Sequence, residues 1–290
     1  MGKSPINKHA YFAAVTAATL WGIFFLIAKI SLLDLPVFNI IAYRYILACL
    51  PFLVLMLASG RFPDKKTIAS GVILGSILFT ADFSQLTGIS LTTVSSSALL
   101  SQGLIIFTPV FLLFLGFRIK KFDFLRPAIA LIGLYLFAVK EAFSISVGDI
   151  FIIGFAVAIS VYFIANEKLV QKSPLTSLLA VQFLTEGLLG ILFSVATGGI
   201  IFPQAPVSWL QILYLGIAAT CLGWGLNSWA QKSIPSHHVV IIYILEPLVA
   251  GFLAFVFFSE TLTIKELIGA ALILFAVIMP AIYSRKNRKR

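Results

Sequence analysis

The sequence predicts an all-α integral membrane protein of ten transmembrane helices, arranged as two inverted five-helix repeats around a central cavity. Three observations predict it. The 290 residues are 60% hydrophobic and only 11% charged, with a mean hydropathy of +1.05, whereas soluble domains carry about 25% charged residues. A soluble fold of this size would leave too much of that apolar surface in water. Second, the apolar residues fall into ten runs, each near the roughly 20 residues that cross a hydrocarbon core. Third, the basic residues divide unevenly between alternate loops. These features exclude an ordinary cytosolic enzyme, a disordered chain and a secreted disulfide scaffold. Cys49 and Cys221 both lie inside apolar runs and imply no disulfide framework.

The first span is 10–32. Its apolar run, Ala10 to Ala28, is followed by no small-residue cleavage site, so it reads as a span rather than a signal peptide. The second, 36–58, begins at Pro36, where a missing N–H costs nothing, and stops at Ser59-Gly60. The third and fourth, 67–88 and 91–116, share the charge-free stretch 83–117, which is too long for one helix. A turn from Gly88 to Thr92 is therefore expected. The fifth is 124–140 and the sixth 148–168. The seventh, 175–196, starts after Pro174 and ends at Thr197-Gly198-Gly199; the eighth is 207–230. The ninth, 236–258, starts after Pro235, and the tenth is 265–284.

Ten spans put both termini on one side, and loop charge identifies that side. Of 21 Lys and Arg, seventeen fall on the side of the termini, Lys140 and Lys265 on the other, and Lys29 and Arg44 within spans. By the positive-inside rule both termini face the cytoplasm. The net charge of +10 and the basic tail Arg285 to Arg290 then read as topology anchors beside anionic lipid, with no nucleic-acid partner.

Five spans per half force the second half, 146–290, to cross the membrane upside down relative to the first, 1–145. The halves align weakly. Pro36, Ala42, Arg44 and Leu50 fall on Pro174, Ala180, Gln182 and Leu188, and Asp123, Ala128 and Leu131 on Glu266, Ala271 and Leu274. Loop charge adds support: Arg118, Lys120, Lys121 and Arg126 between spans four and five correspond to Glu260, Lys265 and Glu266 between nine and ten. Equivalent loops on opposite sides should switch sign in this way. Inverted repeats are typical of secondary transporters, whose site lies at the midplane between repeats.

Several motifs carry a family resemblance. Trp21-Gly22 is followed by Lys29 and, after Leu35-Pro36, by Arg44. Leu245-Glu246-Pro247 leads to Phe258-Ser259-Glu260-Thr261-Leu262-Thr263 and then to Leu267-Ile268-Gly269-Ala270-Ala271-Leu272-Ile273-Leu274. With these, nearly the whole chain resembles the drug/metabolite transporter superfamily, specifically its EamA-type ten-span exporters. It departs from the pattern at Phe117-Arg118, Leu104, Ser160 and Ser259, which bears on subfamily alone. The resemblance implies a cavity opening alternately to either side of a plasma membrane, a prokaryotic inner membrane. It also implies outward movement of amino acids, metabolites or drug-like amphiphiles. A nucleotide-sugar or phosphate-ester exchanger is the alternative, but it would want more cavity cations than Arg44 and Lys29. A membrane-embedded lipid-processing enzyme is a further class, and it would want clustered catalytic carboxylates or histidines.

Five ionisable residues stand within spans: Lys29, Arg44, Asp82, Glu186 and Glu246. Each costs at least about 2.5–3.5 kcal/mol on insertion scales and needs a partner, water or a function. At 1.5 Å per residue, Glu186 and Glu246 lie about 15 Å deep, near the midplane, and Arg44 and Asp82 lie close enough in depth to pair. Lys29 is expected to snorkel to the headgroups. Lys29, Arg44 and Glu186 are read as structural or gating charges. Pro247, inside span nine, is read as a hinge. Asp82 with Gln85, Tyr243 with Glu246, and Trp224 with Asn227 share helical faces at i, i+3, and Gln182 with Glu186 at i, i+4. With Trp21, Gln102 and Tyr162 they are the candidate lining: Trp21, Asp82, Gln85, Gln102, Tyr162, Trp224, Asn227, Tyr243 and Glu246. Aromatic walls with a few fixed polar groups suit a small amphipathic solute. No nucleotide-binding loop, metal motif or nucleophile elbow is present in the sequence, so neither cofactor nor metal is expected. The expected partners are a small-molecule substrate, the bilayer and protons as a candidate coupling ion. The choice between monomer and homodimer stays open.

Overall fold

The computed structural model describes residues 8–60, 62–117, 121–138, 146–258 and 263–286. Within them the chain is helical and no strand is present. The helices are α1 (Lys8–Ser31), α2 (Val37–Ser59), α3 (Lys65–Leu91), α4 (Val94–Ser101 continued by Leu104–Phe114) and α5 (Lys121–Ala138). The second half follows with α6 (Val147–Leu169), α7 (Leu175–Thr197), α8 (Pro206–Gln231), α9 (Ser236–Ile242 continued by Leu245–Phe258) and α10 (Ile264–Lys286). Among the described residues, seven helices are long and apolar enough to cross a membrane. Shorter apolar stretches, Pro127–Phe137, Ser236–Val249 and Leu267–Val277, lie in α5, α9 and α10. Together these make the ten spans the sequence predicts. The loop residues 118–120, the motif residues 259–262, the repeat junction at 139–145 and the last four residues of the tail lie outside the described residues, as does Arg61.

Local chemistry sets most helix ends. Gly60 closes α2 in the left-handed region, at φ +62°, and Gly198 stands at φ +145° after α7; glycine alone enters these regions without steric cost. Asp64 caps α3 by accepting from Thr67 N at 2.8 Å. Ser146 and Asp149 form a reciprocal capping box at the start of α6. Pro36, Pro174 and Pro235 stand at the N-caps of α2, α7 and α9.

Three expectations change. Gly88 does not stop the third span: α3 continues to Leu91 and the turn lies at Thr92-Thr93. Gly88 instead marks a helix crossing, because a Cβ there would meet Ile152 at 2.6 Å and Gly148 O at 2.9 Å. The fourth and ninth spans are each interrupted midway, at Gln102-Gly103 and at Tyr243-Ile244. Pro247, read as a hinge, stands shortly after the second of these interruptions. Pro247 falls in the first turn of Leu245–Phe258, where a proline leaves no helical acceptor unused. Third, α8 contains a π-helical stretch, Tyr214–Leu222, which no local pattern announces.

Extensive helix pairings include α2 with α7, α3 with α6, α5 with α10, α3 with α7, and α1 with α8 and α9. Helices two and five meet their own counterparts, and α3–α6 mirrors α1–α8. This is the pattern of two five-helix repeats joined by a pseudo-two-fold, in which i meets j and j meets i. Small residues make the approach close. Ala10, Ala13, Ala14, Ala17 and Ala18 are the buried stripe of α1. A Cβ on Gly75 of α3 would stand 2.7 Å from Gln182 O of α7.

Candidate functional site

A cavity of about 30 Å3 lies where α1, α2, α3, α4, α6, α8 and α9 converge. That is room for a water or so, not for a metabolite. Of the residues singled out from sequence, Trp21, Asp82, Gln85, Trp224, Tyr243 and Glu246 line it, and so does Arg44. Gln102, Tyr162 and Asn227 stand behind this wall. The phenol of Tyr243 donates to Asn227 Oδ1, and Tyr162 pairs with the Gln182 amide at 3.1–3.3 Å. Both amide atoms of buried Gln102 lack a hydrogen-bond partner among the described residues.

One wall is aromatic. Trp21 packs on Trp224 and Tyr243 at centroid separations of 4.4 and 4.8 Å, and Tyr162 meets Trp224 edge-on at 4.9 Å. Such geometries add about 0.5–1.5 kcal/mol per pair beyond burial. Phe163 joins them at 5.4 Å from Tyr243. Phe24, Phe25, Phe155, Ile159 and Leu104 also line the cavity and were not singled out from sequence. Phe155, Ile159 and Phe163 recur at i, i+4 and i+8 on α6, but in an apolar run such a stripe carries no contrast.

Another wall is charged. Arg44 and Asp82 form an ion pair at 3.0 Å with side chains 2% and 1% exposed. The phenol of Tyr45 donates to the same carboxylate oxygen at 2.5 Å. Arg44 Nε donates to Thr220 Oγ1 at 2.5 Å, and Thr220 in turn donates to Leu215 O at 2.7 Å. The guanidinium also lies 4.6 Å from the centroid of Phe24, within cation–π range. Thr220 belongs to the π-helical stretch. In the same stretch Ala219 O accepts from the Trp21 indole at 2.8 Å. The π-helix therefore ties α8 to the aromatic and the charged wall at once, a placement typical of functional segments. Tyr45 and Thr220 escape sequence reading because each is an ordinary polar residue until its partner is known.

Glu246 lies next to the α9 interruption and is 7% exposed. Glu186 does not line the cavity; it is fully buried between α7 and its neighbours, and neither oxygen has a hydrogen-bond partner among the described residues. Lys29, at the far end of α1, is tied to the end of α3. Its ammonium donates to Ile89 O at 2.6 Å, Thr92 O at 2.9 Å and Ser90 O at 3.3 Å. The terminal carbonyls and negative dipole end of α3 attract the ammonium. Cys49 and Cys221 are buried thiols. Among the described residues no group of three or more His, Cys, Asp or Glu is placed to hold a metal.

Comparison with known proteins bears on the assignment. A crystal structure covering 96% of this chain, and matched over 98% of its own, superposes at a TM-score of 0.78 with 20% identity, so the fold is shared. An uncharacterized transporter of Archaeoglobus fulgidus is 28% identical over 233 residues, 80% of this chain and 81% of that protein. A "Probable amino-acid metabolite efflux pump" of Salmonella typhimurium is 25% identical over 283 residues, 91% of each chain. The model of the EamA-like transporter family matches twice, at residues 8–139 and 146–281. The chain, a multi-pass membrane protein with two copies of that unit, belongs to the EamA-like transporter family.

Proposed function

We propose that the protein exports small amphipathic metabolites, amino acids among them, across a prokaryotic inner membrane with both termini in the cytoplasm. The two repeats rock about the cavity so that it opens to one side at a time. The observation that carries this reading is the lining: an aromatic wall, the Arg44–Asp82 pair and the Glu246 carboxyl converge on one small cavity. Glu246 and the aromatic faces suit an ammonium, and Gln85 adds an amide donor for a carboxylate. At about 30 Å3 the cavity has room for little more than water. Binding a solute therefore requires the walls to part, which alternating access supplies. The efflux-pump name carried by the Salmonella relative supports an outward direction and an amino-acid class.

Polar ties between the halves support a gate at the end of the α1–α2 turn. Ser208 Oγ donates to Asp34 Oδ2 at 2.6 Å, and Ile201 N donates to Asn39 Oδ1 at 2.7 Å. In the orientation set by loop charge this end faces outward. The test is counterflow in proteoliposomes with labelled aromatic and aliphatic amino acids, sugars and a nucleotide sugar. Counterflow of one or more amino acids is expected. Glu246→Gln should cut it about tenfold or more, as loss of a charged hydrogen bond does. Flux of the nucleotide sugar alone, or of no panel member, overturns the reading.

A further inference from the structure

Hydrogen accounting around Glu186 singles it out among the buried charges. Its carboxyl lies on α7 and is 0% exposed, with both oxygens unpartnered among the described residues. The groups that act on it come from three helices. Arg44 and Tyr45 come from α2, Asp82 from α3, and Gln182 lies one turn before it on α7. Of the other ionisable groups nearby, Cys49 of α2 is turned to Ala180 O, and Tyr162 of α6 is paired with Gln182.

The one cation of this set is engaged elsewhere. Arg44 is bound to Asp82 and Thr220, and the one hydrogen of Tyr45 goes to Asp82. The Gln182 amide meets the Tyr162 phenol. The cluster thus holds one cation and two carboxyls, and the cation is spent on Asp82. An ionised Glu186 would be a charge in a dry interior without a cation of its own. A neutral acid removes that charge and carries its own hydrogen to donate.

We propose that Glu186 is a proton-binding site of this protein, loaded when the two halves are closed on each other. The interface between α7 and α2 keeps water from the carboxyl. When the halves part, water reaches it, the O–H bond breaks heterolytically, and the proton passes to water while the carboxylate stays on α7. The proton is then the coupling ion of the transport cycle, and Glu186 acts in a role the sequence assigned only to structure or gating. Asp82 and Glu246 are not needed as carriers: Asp82 is paired with Arg44, and Glu246 is left to the substrate. The coupling, though not the protonation, rests on the transport reading above.

Infrared difference spectroscopy of the protein in lipid nanodiscs tests the site without any substrate. At neutral pH the wild type should have a carbonyl-stretch band of a protonated carboxyl, shifted by deuterium exchange. That component should vanish in Glu186→Gln, persist in Glu246→Gln and move in Glu186→Asp, which keeps the acid. A wild type without the band, or a Glu186→Gln spectrum that retains all of it, overturns the proposal. Should Glu186→Gln not yield monodisperse protein, an unmoved band in Glu186→Asp overturns it equally. Vesicles containing a pH-sensitive dye test the coupling with the labelled amino acids. Net flux in the wild type should carry protons, and Glu186→Gln should keep exchange while losing proton movement. Net flux without protons refutes the coupling. No flux of any solute defeats the transport reading and leaves the infrared result standing.

Discussion

Replacing Asp82 by Asn tests whether the Arg44–Asp82 pair holds α2 to α3. Both side chains are at least 98% buried and their closest atoms are 3.0 Å apart. The amide of Asn keeps the volume and can still accept from Tyr45, but it cannot neutralise the guanidinium. Removing one partner of a buried pair typically costs about 3–5 kcal/mol, because the other charge is left in a medium that does not solvate it. Thr220 and the Phe24 ring contact Arg44 but carry no formal charge, so they offset little of this. Replacing both partners, with Arg44→Met and Asp82→Leu together, removes the uncompensated charge and the desolvation cost alike. The double variant should therefore be less destabilised than either single one. The assay is equilibrium unfolding in detergent–lipid micelles, read by tryptophan fluorescence, as a double-mutant cycle. If Asp82→Asn changes stability by less than about 0.5 kcal/mol, or the double variant loses the sum of the singles, the pair is not what holds these helices.

Three further outcomes are expected. Gly75→Leu should destabilise by about 1–3 kcal/mol, since its first side-chain atom already falls 2.7 Å from Gln182 O; thermal unfolding in detergent measures it. Lys29→Met leaves three carbonyls of the α3 terminus without their donor and should cost about 1–3 kcal/mol. It should also speed amide exchange over residues 88–93 more than elsewhere, and a uniform change would contradict the capping role. The hydrogen bond from Thr67 holds the Asp64 carboxyl below its ordinary range. A depressed folded-state value means that the cap is fully present above the unfolded value near 3.9 and weakens as pH falls through the folded one. Exchange at the Thr67 amide should accordingly rise under acid conditions in the wild type and be pH-independent in Asp64→Ala, apart from the intrinsic rate.

Span existence is legible because hydropathy is a local sum: twenty apolar residues in a row demand a helix in lipid whatever surrounds them. Pro36, Pro174 and Gly60 are legible as helix ends for the same reason, since the φ restriction of proline and the left-handed access of glycine belong to the residue itself. Gly88 misleads because a glycine admits two uses, a helix stop or a place where another backbone comes close. Only the position of Ile152 and Gly148 decides between them. The interruptions at Gln102-Gly103 and Tyr243-Ile244 carry no breaker strong enough to announce them. At both, the chain tightens locally onto its own carbonyls, as in Gly103 N to Leu100 O and Glu246 N to Tyr243 O.

The sequence alone determined that the chain lies in a membrane, how many times it crosses, and which five ionisable residues cross with it. Each follows from the free energy of moving a residue between water and hydrocarbon, which is a property of that residue. The pairing of those charges was decided by the tertiary structure. Arg44 is near enough in depth to meet Asp82, but whether Glu186 shares that cation depends on which helix stands at α2's side and how each side chain is turned. Electrostatic and hydrogen-bond energies vary over single ångströms in a dry interior. The same buried carboxyl type therefore becomes an ion-pair partner at Asp82, a cavity wall at Glu246 and an unpartnered acid at Glu186.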